Sequence, residues 1–282
     1  MRGIVPGMKT RTLAFIGAGN MACSLVGGLV ADGYDPALLR LADPEADRQQ
    51  DLAHRLGVVI QADNRAAVDG AAVVVLAVKP QVLPAVAREI ADRVRDARSL
   101  VVSIAAGIRT SDLARWLGTD TAIVRAMPNT PALVQSGATG LFANAWVSGE
   151  QRDLAESILR AVGLTLWVKE EDQLDLVTAL SGSGPAYFFL VMEALQEAAT
   201  RLGLPAETAR LLALQTAFGA SRMALESEED AATLRRRVTS PGGTTEQALR
   251  VLEEGGLRDL LQQALEAAAQ RSRELAEQFG AQ

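Results

Sequence analysis

The sequence predicts a two-domain chain: an α/β domain on a mostly parallel, doubly wound sheet over residues 1–170, then an all-α domain over residues 171–282. Three observations carry this. Short apolar runs alternate with helical segments from Arg11 to Val168, the pattern of a parallel sheet covered on both faces. A glycine turn follows the first of these runs, where a helix must begin. After about Glu170 the strand-like runs stop and Ala/Leu-rich stretches take over.

Taken in order, Arg11–Ile16 reads as a buried strand ended abruptly by glycine, with a helix beginning near Asn20. Apolar runs at Leu38–Ala42, Val58–Ile60, Ala72–Val78, Leu100–Ile104 and Ala122–Ala126 read as further strands. Glu45–Leu56 and Gln81–Val94 are among the helices between them, and Ala138–Phe142 and Leu164–Val168 add two strands at an edge. Beyond them, Ala186–Leu202, Ala206–Leu225 and Gly256–Phe279 read as long helices. Their apolar residues recur every three or four positions, as in Leu190, Ala194, Leu195 and Ala198. Helices this apolar suit a dimer core as well as a monomer core, so an intertwined homodimer is expected. No heptad run marks a coiled coil, and no segment is of low complexity.

A chain of 282 residues can bury two cores, and 49% apolar with 22% charged residues is the balance of a soluble globular protein. The net charge of -6 argues against a nucleic-acid surface, which needs clustered Lys and Arg. Arg235-Arg236-Arg237, the one basic cluster, reads as part of a helix face. Lysines at positions 9, 79 and 169 alone leave few candidates for Schiff-base chemistry. Cys23 is the only cysteine, which excludes an intrachain disulfide and a multi-cysteine metal site, and no metal is expected. Met1–Lys9 is too short and polar for a signal peptide. No apolar run approaches the roughly 20 residues of a membrane helix. A cytoplasmic enzyme without a membrane or nucleic-acid partner is the expectation.

Gly17-Ala18-Gly19-Asn20-Met21-Ala22 has the form G-x-G-x-x-A directly after the first strand. Gly17 permits the tight turn, Gly19 lets backbone approach a pyrophosphate, and Ala22 lets the helix pack closely on the strand. Asn20 and Met21 open the helix whose N–H groups and dipole favour phosphate. A nicotinamide dinucleotide on a Rossmann domain is the expected ligand. Asp43, at the end of the second strand, is placed to accept from the ribose hydroxyls and to repel a 2′-phosphate, which leans towards NADH. It could equally cap the helix starting at Pro44 and Glu45, so NADH and NADPH both stay open. Ala77-Val78-Lys79-Pro80-Gln81 ends the fourth strand, where α/β sheets place their ligand crevice; Ala77, Lys79 and Pro80 are therefore cofactor-side candidates.

Three further stretches are not explained by helix or strand propensity. Met127-Pro128-Asn129-Thr130-Pro131 holds Asn129 between two prolines after a strand, fixing the direction of its amide. Ser181-Gly182-Ser183-Gly184-Pro185-Ala186 places Ser181 and Ser183 with free N–H groups at the start of a long helix. Thr239-Ser240-Pro241-Gly242-Gly243-Thr244-Thr245 does the same before another helix. Its two adjacent glycines between hydroxyl residues suggest a small anion against the backbone, although glycine-rich caps are common.

In these residues the chain resembles the pyrroline-5-carboxylate reductases. Thr239–Thr245 is similar to that family's signature loop, and GAGNMA, AVKPQ, SIAAGI, MPNTPALV and SGSGPAYFF follow the family's order from Leu13 to near Leu275. The resemblance implies a Rossmann domain, a C-terminal helical dimerisation domain, and reduction of Δ1-pyrroline-5-carboxylate to L-proline by NADPH or NADH. In some members dimers associate further into decamers. It also implies that Ser240, Gly242, Gly243 and Thr245 bind the substrate carboxylate and ring nitrogen, with Thr245 bonded to the nitrogen. Ser181 and Ser183 would lie near nicotinamide and substrate, and Asn129 beside the cofactor. Glu228 matches an acid of the family without an assigned role. Glu246 departs from the pattern, which carries an apolar residue there.

The implied chemistry asks for positioning more than for a strong acid, since the imine is protonated near neutral pH. That suits a chain whose single histidine, His54, falls in a charged helix of the cofactor domain and reads as a surface residue. A β-hydroxyacid dehydrogenase of similar architecture would need a proton donor. The helix where such enzymes carry a lysine reads Gly184-Pro185-Ala186-Tyr187-Phe188-Phe189-Leu190 here, with Tyr187 as the only candidate. A non-catalytic NAD-sensing regulatory protein would keep the glycine turn but have no need of the Thr239–Thr245 loop.

Overall fold

The computed structural model describes residues 10–280, apart from the side chains of residues 46–49 and 51. The reading of Met1–Lys9 lies outside the described residues. Eight strands form one sheet: β1 (Leu13–Ile16), β2 (Leu39–Ala42), β3 (Val59–Ile60), β4 (Val73–Leu76), β5 (Leu100–Ser103), β6 (Ile123–Met127), β7 (Gly137–Ala143) and β8 (Gly163–Trp167). Their order is β3-β2-β1-β4-β5-β6-β7-β8. Every pairing is parallel except β6 with β7. All eight strands expected from the apolar runs are present, and the strand order reverses at β1 and β4, as in doubly wound nucleotide-binding sheets.

The strands read as continuous apolar runs because both faces are covered. Leu13 and Phe15 of β1, Val73 and Val75 of β4, and Leu100 and Val102 of β5 enter one core. They pack with helix α1 (Asn20–Ala31) and a later helix, α6 (Gly149–Arg160). The alternate residues Ala14, Ile16, Val74, Leu76 and Val101 enter the other core, with helices α3 (Asn64–Val68), α4 (Leu83–Ala97) and α5 (Thr110–Leu117). Helix α2 (Ala46–Leu56) follows β2 and carries His54, which is exposed as expected.

The described residues divide into two compact units, 10–183 with 268–280, and 184–267. This division and the expected one at residue 170/171 do not coincide. Two features of the first unit explain why. Helix α7 (Gln173–Val177) packs against β7, and its Leu174 and Asp175 are buried. The chain also returns at the C-terminal end of the last helix, α12 (Leu257–Gly280). There Ser272 Oγ donates to the buried Asp175 carboxylate at 2.6 Å, Arg115 donates to Gly280 O at 2.6 Å, and Phe279 enters the second core.

The second unit contains helices α8 (Gly184–Arg201), α9 (Ala206–Glu226), α10 (Ala231–Arg237) and α11 (Thr244–Glu254), with the first part of α12. Among its residues Ala209 is the one buried apolar side chain, while Phe188, Phe189, Leu190, Leu195 and Phe218 are each more than half exposed. A set of helices this apolar with so little buried core is built to be covered.

Two expectations change here. Residues Gln173–Arg201 form 29 residues of helix long and apolar enough by length and composition to cross a membrane, where none was expected, although that helix carries Glu193 and Glu197. Arg235, Arg236 and Arg237 do not share one face. At about 100° per residue they diverge: Arg235 lies 3.6 Å from Glu253, Arg236 donates to Thr233 Oγ1 at 2.6 Å, and Arg237 pairs with Glu229 at 2.6 Å. All three sit in the last turn of α10, where cations complement the helix dipole.

Candidate active site

The glycine turn sits at the carboxyl end of β1, between the ends of β2 and β4. Gly17 N–H donates to Ala42 O and Ala77 N–H to Ile16 O, each at 2.8 Å. Gly17 has φ +101°, and a Cβ there would lie 2.7 Å from Ala77 O. Glycine is thus demanded at that position by the protein itself. Gly19 differs: its φ is -68°, and a Cβ would meet nothing within 4 Å. The space over Gly19 is open, as the space beside a bound pyrophosphate must be.

Gly19 is also the N-cap of α1, makes no side-chain cap bond, and the first turn carries no acid. Cys23 N–H is the first to bond back, to Gly19 O at 3.0 Å. The N–H groups of Asn20, Met21 and Ala22 precede that bond, at the end of the helix that favours an anion. A cavity of about 710 Å3 runs from Gly19 and Asn20 past Cys23, Ser24 and Gly27 to Leu133. The small residues at 20, 23, 24 and 27 form one face of α1, a spacing legible in the sequence but not used in reading it. The residues present therefore fit a dinucleotide phosphate.

Asp43 is half-buried, and its two oxygens are engaged by backbone. Oδ2 accepts from Ala18 N–H at 2.6 Å and Oδ1 from Glu45 N–H at 2.8 Å. The N-cap of α2 is Glu45, so Asp43 is not the cap itself; it forms an Asx-type turn ahead of the helix. Its charge is thus held at the end of β2, beside the glycine turn. Across the switch point, Ala77 is part-buried, Lys79 is exposed and Lys79 O accepts from Val82 N–H, which shapes the Pro80 turn into α4.

The MPNTP segment is rigid for a further reason. Asn129 Nδ2 donates to both Ser181 O and Ser181 Oγ at 3.1 Å, and its Oδ1 accepts from Ala138 N–H at 2.8 Å. Ser181 Oγ donates onward to Ala138 O at 3.2 Å. The Asn129 amide is fixed in direction as expected, and what it holds is Ser181 and the start of β7.

Ser181 and Ser183 do not stand at a free helix start. Thr178–Gly182 is a π-helical turn joining α7 directly to α8, and Ser183 N–H donates to Thr178 O at 2.8 Å. The N–H groups expected to be free there are enclosed in one continuous helix. The wide turn instead lets Ser181 reach Asn129, and brings Gly182 against Met127, whose Cε lies 2.6 Å from where a Cβ would be.

In the second unit, residues Ser240–Gly243 form a turn closed by Gly243 N–H to Ser240 O at 3.0 Å. Pro241 takes its second position and Gly242, with φ +71°, its third, the signature of a type II turn. Thr239 is tied back to α10 by bonds to Arg235 O and Arg236 O. Gly243 is the N-cap of α11 and supplies no side-chain cap. Thr244 and Thr245 therefore open the helix with exposed side chains and first-turn N–H groups. Glu246 turns back onto the loop, accepting from Gly242 N–H at 2.8 Å. Glu228 is exposed between α9 and α10.

Among the described residues no group of three or more His, Cys, Asp or Glu could hold a metal ion. Comparison with known proteins places the chain. The sequence model described as pyrroline-5-carboxylate reductase dimerisation matches residues 171–275, and one described as NADP oxidoreductase, coenzyme F420-dependent, matches residues 12–107. A pyrroline-5-carboxylate reductase of Pseudomonas aeruginosa is 53% identical over 273 residues, covering 97% of this chain and all of that protein. The chain belongs to the pyrroline-5-carboxylate reductase family. A reductase of that name from Pasteurella multocida is 43% identical, over 96% of this chain and all of the relative.

Solved structures of the family superpose closely on this reductase. That of Coxiella burnetii gives a TM-score of 0.92 at 53% identity, covering 95% of this chain and 99% of the other. The Plasmodium falciparum pyrroline carboxylate reductase, solved with NADP bound, gives 0.84 at 29% identity, covering 96% and 100%. The chain is an oxidoreductase with a Rossmann domain followed by a helical domain of the dimerisation type. None of these relatives is a hydroxyacid dehydrogenase or a regulatory sensor.

Proposed function

We propose that this chain reduces Δ1-pyrroline-5-carboxylate to L-proline with NADPH or NADH, working as a homodimer. The single observation carrying the reading is 53% identity along the whole of a pyrroline-5-carboxylate reductase. It is supported by a glycine turn whose open face at Gly19 fits a dinucleotide, and by a second glycine turn at the start of α11 that suits a carboxylate. Bound on the first turn, a reduced nicotinamide supplies the hydride.

The residues of the chain then have six tasks. Gly17, Gly19, Asn20 and Met21 hold the pyrophosphate, Asp43 borders the adenosine ribose, and Ala77, Lys79 and Pro80 line the crevice at the end of β4. Asn129 and Ser181 brace the wall on which the nicotinamide rests, with Ser183 beside it. Ser240, Gly242 and Gly243 shape a cradle for the substrate carboxylate. Thr245 accepts the proton of the ring nitrogen as a hydrogen bond, which keeps the C=N unit polarised. Hydride adds to the imine carbon, the C=N π pair becomes the nitrogen lone pair of a secondary amine, and the nitrogen proton stays in place. No side chain has to surrender a proton, so the chemistry needs no histidine or lysine acid.

The homodimer reading is supported by the uncovered apolar helices of the second unit and by the dimerisation match over residues 171–275. Association of dimers into decamers and a cytoplasmic location extend the same reading.

The test is label transfer. With cofactor deuterated at the transferring position and Δ1-pyrroline-5-carboxylate, proline should carry one deuterium at the former imine carbon. Tight cofactor binding without any label in proline would sink the assignment and favour a sensor. Thr245→Ala should raise the imine KM and lower kcat, leaving cofactor affinity unchanged, because it removes one hydrogen bond of ~1–3 kcal/mol.

A further inference from the structure

Glu246 is the third residue of α11, and its carboxylate does not point along the helix. It reaches back to accept the N–H of Gly242 at 2.8 Å. Gly242 holds the positive φ of the turn, and Gly243 N–H is already spent on Ser240 O. Two of the loop's N–H groups are thus satisfied within the loop, one by backbone and one by Glu246. A capping box would have the N-cap side chain share this work, but Gly243 has none. The turn depends on Glu246 alone for a side-chain tie to its helix. A negative charge at that position also complements the positive end of α11.

We infer that Glu246 is a positioning residue of the reaction: its carboxylate pins Gly242, fixing the Ser240–Gly243 turn so that the Thr244 and Thr245 N–H groups stay aimed at the substrate carboxylate. The inference rests on the reading of this loop as the carboxylate cradle. The opposite role would be an internal stand-in that substrate must displace, and it has the opposite consequence: removing Glu246 would then tighten substrate binding.

Steady-state kinetics of the full chain, as wild type, Glu246→Ala and Glu246→Gln, separate these. Two imines serve as probes, Δ1-pyrroline-5-carboxylate and 1-pyrroline, which has the same ring without the carboxylate. Glu246→Ala should raise the KM for Δ1-pyrroline-5-carboxylate by about fivefold, the effect of losing one capping interaction, with kcat and the NADPH KM within about twofold. Glu246→Gln, whose amide oxygen still accepts from Gly242, should recover most of that loss. With 1-pyrroline the two variants should match the wild type. A KM in Glu246→Ala that is unchanged or lowered, a penalty just as large with 1-pyrroline, or a Glu246→Gln variant no better than Glu246→Ala would each overturn the inference. Wild-type enzyme equally efficient on both imines would instead overturn the cradle itself.

Discussion

The carboxylate of Asp43 closes on the backbone N–H of Ala18 at 2.6 Å, so the acid ending β2 braces the middle of the glycine turn that ends β1. The same side chain holds Glu45 N–H at 2.8 Å. One residue therefore sets the turn, steadies the approach to α2 and holds a negative charge at the end of β2, where we propose the adenosine ribose.

Asp43→Ser removes the charge but keeps one oxygen able to accept from Ala18 or Glu45. The ratio of kcat/KM for NADPH over NADH should rise by about tenfold, the effect of relieving one like-charge contact near the surface. The shift should shrink as salt is added. A ratio that stays put would reduce Asp43 to a structural brace.

Gly17 and Gly19 should fail differently, although both belong to one motif. Gly17→Ala forces a Cβ to 2.7 Å from Ala77 O at φ +101°, and should destabilise the fold by roughly 2 kcal/mol or more. Gly19→Ala meets no neighbour at an ordinary φ, so its melting temperature should stay close to wild type. Its loss should fall on the cofactor, with a NADPH KM raised at least about tenfold, since the methyl enters space a pyrophosphate would fill. Thermal unfolding beside cofactor titration separates the two. A Gly19→Ala protein with normal NADPH affinity would contradict the placement of the phosphates.

Tyr34 lies buried under β1, its hydroxyl donating to Arg11 O, and burial pushes its phenol up to about 12 from the usual 10. Between those values the unfolded chain loses the phenolic proton first, so the folded state binds more protons and stability falls as pH rises. Below about pH 10 this contribution is fully present; above about 12 it is gone. Unfolding measured from pH 9 to 12 should show a steeper decline in wild type than in Tyr34→Phe. Parallel curves would mean that Tyr34 ionises as freely folded as unfolded.

The α/β domain was legible because its strands are buried on both faces, so Leu13–Ile16 and Val73–Leu76 read as unbroken apolar runs. The second glycine turn was legible for the same kind of reason: Pro241 and Gly242 can hardly do anything else. Ser181–Gly184 misled because small residues and a proline imitate a helix start; only the pairing of Ser183 N–H with Thr178 O reveals a π turn within one helix. Asp43 reaching Ala18, Glu246 reaching Gly242 and α12 returning to bury Phe279 are matters of tertiary geometry, on which residue spacing is silent. The uncovered faces of α8 and α9 were visible as an excess of apolar residues, though not which residues would be left exposed.

Asn129 is where the two domains of expectation meet, since a residue read as a cofactor contact is found holding Ser181 and Ala138. Its amide makes three bonds with its donors and acceptor all matched, so the two simplest substitutions should differ in kind. Asn129→Asp keeps the acceptor for Ala138 N–H but turns a donor into an oxygen facing Ser181 O, leaving a part-buried carboxylate against a carbonyl. Asn129→Ala loses the bonds without adding repulsion. Asn129→Ala should cost roughly 1–3 kcal/mol of stability, and Asn129→Asp more at neutral pH, with part of the excess recovered as acid protonates the carboxyl and restores a donor. Because Ser181 is released in both, the imine KM should rise in both by a similar factor. If Asn129→Ala instead lost NADPH affinity at unchanged stability and imine KM, Asn129 would be a cofactor ligand first and a brace second.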